Sequence, residues 1–82
     1  MKTNILVTSA GVMSAINVIK SLHLQDEYDV NIIAIDVDKY ASGLYLADKH
    51  YLCPPVRKEE SYQQYLFEII KKENIQFVFP CY

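Results

Sequence analysis

A chain of 82 residues holds one small domain over residues 1–82 and excludes a second, because so short a chain buries only about 60 to 65% of its unfolded surface. Its 51% hydrophobic and 22% charged residues, with no long polar tract, exclude a disordered segment. The net charge is −2, and Lys20, Lys39, Lys49, Arg57, Lys58, Lys71 and Lys72 are scattered among acids, which excludes the continuous basic stripe that nucleic acid requires.

The chain starts MKTNILVTSAG, without the longer apolar core and small-residue cleavage site of a signal peptide, and its apolar runs are too short to span a bilayer. A cytoplasmic protein without a membrane partner is expected. Residues 4–8 (NILVT) are β-branched and apolar and predict a first strand. From Val12 the apolar positions Val12, Ala15, Ile16, Ile19 and Leu22 recur at helical spacing, predicting an amphipathic helix to about Leu24. Residues 31–36 (NIIAID) are almost continuously apolar, as in a strand covered on both faces.

After a loop containing Gly43, one or two helical turns are expected through Leu44 to Ala47. His50 to Cys53 predicts a short third strand, ended by Pro54 and Pro55, which cannot donate to a ladder. The clearest helix runs from about Glu60 to Glu73, where Tyr62, Tyr65, Leu66, Ile69 and Ile70 share one face. Glu59 and Glu60 sit at its positive end and Lys71 and Lys72 at its negative end, with Asn74 as a left-handed stop. Residues 75–79 (IQFVF) predict a fourth strand, closed by Pro80.

This succession predicts an α/β fold, a Rossmann-like doubly wound parallel sheet with strand order 3-2-1-4 and helices on both faces. Ligands bind such sheets beyond the carboxyl ends of the strands, where the order reverses; here that places them between Ser9-Ala10-Gly11 and Pro80-Cys81-Tyr82. The fourth strand is apolar enough for a sheet interior yet has no further strand to pair with. Two expectations follow: the chain is the amino-terminal part of a larger protein, or the strand self-associates with another copy.

Aligned on Gly11, the stretch Ser9 to Ser14 keeps one glycine of the three in a dinucleotide fingerprint. Small residues still permit a tight turn, and a helix amino terminus favours phosphate or carboxylate alike. Asp36 ends the second strand about 25 residues later, where it is open to four roles: a solvated carboxylate at a strand end, a turn cap shared with Asp38, a ribose or adenosine contact, or a substrate contact. An NAD(P)-binding module is therefore one alternative, and a free-standing interaction module pairing through its fourth strand is another.

His23 and His50 form no triad pattern, and both Cys53 and Cys81 lack metal or redox spacing, so all four are expected to be structural. Tyr40, Tyr45 and Tyr51 cluster around Ser42-Gly43 and suggest a pocket wall or ordinary packing. No Walker lysine motif and no paired metal carboxylates are visible.

Taken together, NILVTSAGVMSAINVIKSL, NIIAIDVDKYASGLYLADKHYLCPP and IQFVFP resemble the amino-terminal, pre-ATP-grasp domain of ATP-grasp proteins of the carbamoyl-phosphate synthetase large-chain-like group. The resemblance covers nearly the whole chain. It implies a domain on the substrate side of an ATP-dependent carboxylate-amine or carboxylate-thiol ligase, with the remaining ATP-grasp domains and a small carboxylate or amine as partners. ATP and Mg would serve the parent protein and bind mainly outside this chain, with no cofactor, metal or catalytic residue expected here. The substrate-facing positions carried over are Ser9, Ala10, Gly11, Asp36 and Ser42. The turn departs from the family in having less glycine, and Val12-Met13 replaces smaller or polar residues.

Overall fold

The computed structural model describes residues 2–55 and 57–81. In chain order it contains β1 (Thr3–Val7), α1 (Met13–Leu24), β2 (Val30–Asp36), α2 (Ser42–Leu46), β3 (Lys49–Leu52), α3 (Glu59–Lys72) and β4 (Phe77–Phe79). The four strands form one parallel sheet in the order β3-β2-β1-β4, the doubly wound arrangement expected from the sequence.

Alternation along the strands explains the two layers. Successive side chains point to opposite faces, so Ile5, Val7, Ile32 and Ala34 meet Ala15 and Ile19 of α1 and Leu44 of α2 on one face. Leu6, Ile33 and Ile35 meet Ile69 of α3 on the other, with Tyr65, Leu66 and Ile70 around it. Both faces of β1 and β2 are thus covered, which is why their middles read as unbroken apolar runs.

The elements differ from their sequence-based bounds mainly at the ends. β4 is two residues shorter at its start, because Asn74 adopts φ 53° and the Ile75 amide turns back to the Ile70 carbonyl, 3.0 Å away, to close α3. Asn74 is therefore the left-handed stop expected. β3 begins at Lys49 rather than His50, while the Cys53 amide still bonds the Asp36 carbonyl at 3.0 Å. α2 starts two residues earlier than expected, at Ser42.

Gly43 explains that early start. A Cβ there would lie 2.0 Å from the Ala10 carbonyl oxygen, and the Gly43 amide donates to that same oxygen at 3.1 Å. The backbone of α2 thus lies directly on the turn after β1, a fit that only glycine allows. No helix among the described residues is long and apolar enough to cross a membrane.

Candidate functional site

The turn between β1 and α1 is built by local hydrogen bonds and by one carboxylate from β2. Ser9 takes the left-handed conformation, φ 53°, at the place of the fingerprint's first glycine. The Val12 amide bonds the Ser9 carbonyl at 3.1 Å, and the Ala10 amide bonds the Ile35 carbonyl at 3.1 Å. Asp36 completes the structure: its Oδ2 accepts from the Gly11 amide and its Oδ1 from the Asp38 amide, each at 2.9 Å.

Of the roles open to Asp36, the turn cap is thus directly visible, and it joins the ends of β1 and β2. The same bond occupies the Gly11 amide that a pyrophosphate would need, and a Cβ at Gly11 would sit 3.1 Å from Ala41 Cβ. Ala10 is fully buried with its carbonyl engaged by Gly43. These features speak against a dinucleotide cradle at this turn. The first turn of α1 nonetheless has no capping side chain, so its positive end remains available at the turn.

At the β1/β4 reversal the ends of the two strands are tied together. Thr8 Oγ1 accepts from the Cys81 amide at 3.1 Å, the Thr8 amide bonds the Phe79 carbonyl at 3.1 Å, and buried Cys81 packs in the same cluster as Ala10. Tyr82 lies outside the described residues. The open space at the strand carboxyl ends is displaced toward β2 and β3: a cleft of about 290 Å³ lined by Ser9, Asp36, Val37, Cys53, Arg57 and Tyr62, with Pro55 beside them.

Ser9 and Asp36 therefore converge on one cleft. Ala10 sits beneath the turn, Gly11 is exposed on it, and Ser42 is exposed on α2 outside the cleft lining. The sequence reading missed Val37, Cys53, Pro55, Arg57 and Tyr62, although the strand order placed β2 beside β1 and β3 beside β2. The residues following each of those strands were the available signal. Burial first, and the Asp36 charge second, push the Cys53 thiol up to about 11, so this wall of the cleft is neutral and unreactive at pH 7.

The tyrosines do not assemble a pocket. Tyr45 lies edge-on to His50, ring centroids 5.0 Å apart, and its hydroxyl donates to the Lys39 carbonyl, whereas Tyr51 packs on the α3 face and its hydroxyl donates to Glu73. His23 approaches Asp48 at 3.4 Å, and the same Asp48 oxygen accepts from the Ile32 amide at 2.8 Å. Both contacts serve the joint between α1, β2 and the start of β3.

A second, larger groove of about 660 Å³ runs along β4 and the amino-terminal ends of β1 and β2. Leu22, Tyr28, Val30, Phe77 and Phe79 give it an apolar lining. Thr3, Gln25 and Glu27 add polar groups to a lining that is otherwise apolar, which gives the groove the character of an interaction face.

Comparison with protein families matches residues 5–82 to the family described as PylC-like, N-terminal domain. The match covers nearly all of the chain, which belongs to this family of ATP-grasp-associated amino-terminal domains. Comparison with curated proteins yields no match.

Proposed function

From that membership we propose that the chain is the substrate-side amino-terminal domain of an ATP-dependent ligase that joins a carboxylate to an amine or thiol, and that it is not catalytic alone. The family match over residues 5–82 is the observation that carries this reading. The finer placement, with the carbamoyl-phosphate synthetase large-chain-like group, rests on the sequence resemblance. In this reading ATP and Mg bind the remaining domains, and this domain presents its strand carboxyl ends to the small-molecule substrate. Ser9, Gly11 and Asp36 form the rim, Ala10 supports it from below, and Ser42 extends the exposed surface beside it.

The fold supports the division of labour. Asp36 is rigidly held by two backbone amides, a geometry suited to shaping a wall and not to shuttling a proton. Phosphate release from Mg-ATP tests the proposal. The chain alone is expected to show no turnover, whereas the chain joined to its ATP-grasp domains releases phosphate when acid and amine are both present. Turnover by the isolated chain would refute the assignment of catalysis to the other domains.

A further inference from the structure

The strand-end cleft contains an unused cation. Arg57, the chain's single arginine, lines it together with Asp36, yet Arg57 forms no ion pair among the described residues, so guanidinium and carboxylate share the cleft at more than contact distance. Both Asp36 oxygens are directed to the Gly11 and Asp38 amides. Besides Ser9 and the two charges the lining is Val37, Cys53, Pro55 and Tyr62, a mainly apolar and aromatic wall. A guanidinium fork beside such a wall matches a carboxylate carried on a short apolar body.

We propose that Arg57 and this wall bind an anionic end of the substrate, as an anchoring group distinct from the carboxylate that reacts with ATP. A carboxylate seated in the guanidinium fork has its oxygens engaged by N–H donors and is a poor nucleophile toward a phosphoryl group. The anchored substrate therefore carries a second functional group, and that group faces the catalytic domains. The Asp36 charge makes the cleft favour a ligand with one anionic end over a dianion that reaches across it. Calling the ligand a substrate rests on the ligase reading, whereas the binding does not.

The test is an amide-resolved NMR titration of the chain with 4-phenylbutyrate as the probe, together with its uncharged amide. The acid is expected to give saturable shifts at the Ser9, Val37, Cys53 and Arg57 amides. Affinity is expected to fall about tenfold or more for 4-phenylbutyramide, and equally for the acid against Arg57→Gln. Arg57→Lys should be intermediate, because it keeps the charge and loses the fork. Arg57 is exposed and unpaired among the described residues, so the variant spectra should match the parent elsewhere.

Equal binding of acid and amide, equal binding by Arg57→Gln, or shifts confined to Leu22, Tyr28 and Phe77 in the other groove would each overturn the proposal. The titration uses no ATP. Failure of the phosphate-release experiment would therefore leave its result standing, and failure of the titration would leave the ligase reading intact.

Discussion

Gly43 and Gly11 both lie where α2 meets the β1–α1 turn, yet they differ in how much space a methyl group would find. At Gly43 a Cβ would collide with backbone, the Ala10 carbonyl oxygen at 2.0 Å, which cannot swing aside as a side chain can. At Gly11 the nearest atoms are Ala41 Cβ at 3.1 Å and Asp36 Oδ2 at 3.3 Å, a crowding relieved by small shifts. Gly43→Ala is expected to cost about 3 kcal/mol or more and Gly11→Ala about 1 kcal/mol, read from urea unfolding midpoints. Equal costs would show that α2 does not rest on the turn. Gly43 was visible in the sequence only as a loop marker, because nothing in a single chain reveals that a distant carbonyl occupies the space of its missing side chain.

At the scale of elements, α3 is fastened to β3 by Glu73. This carboxylate accepts from the Tyr51 hydroxyl and pairs with Lys49 at 3.0 Å. The Tyr51 hydrogen bond, aided by Lys49, holds the Glu73 carboxyl below its usual range, and the same partnership raises the Lys49 ammonium. A lowered acid contributes stability that is full above its unfolded-state pKa and is lost as pH falls through the folded value. A raised ammonium contributes below its unfolded-state pKa and loses this as pH rises through the folded value. Unfolding followed by circular dichroism should therefore show stability falling on the acid side of the carboxylate range, and Glu73→Gln should flatten that fall. An unchanged acid limb in Glu73→Gln would exclude this fastening.

The strands, the two long helices and their charges were legible because each follows from local pattern: period, cap and dipole. The β3 contact to Glu73 was not, since it joins residues 22 apart through side chains whose direction the pattern leaves open. The same distinction separates Ser9 and Asp36, which the strand ends announced, from Arg57, in the turn before α3, and Tyr62, on α3, whose approach to the cleft local pattern leaves open. It also explains why the crevice was expected at the β1/β4 reversal. Strand order locates the reversal, but not the Thr8–Cys81 contact that ties the strand ends there.

For the whole molecule, the decisive asymmetry lies between the two edges of the sheet. β3 exposes Lys49 and His50, polar groups that discourage pairing, beside a single exposed apolar residue, Leu52, whereas β4 exposes Phe77 (60%), Val78 (44%) and Phe79 (39%) with only β1 as neighbour among the described residues. Phe77 and Phe79 share a face with Ile5 and Val7 and open onto the groove beside α1, while Val78 is in register with Leu6 and faces the α3 side. Neither face of β4 is covered as those of β1 are, so an added strand would gain backbone pairing and apolar contact together. In the ligase reading the remaining domains supply that cover, and in the isolated chain a second copy is expected to do so. Light scattering should then show mass rising with concentration, and Val78→Glu should return the chain to monomer with its circular dichroism unchanged, because a half-exposed edge position tolerates a charge in the free domain but not inside a paired sheet. A parent chain that stays monomeric at high concentration would mean that β4 is protected by its shortness alone, and an association that survives Val78→Glu would move the contact to the groove beside α1.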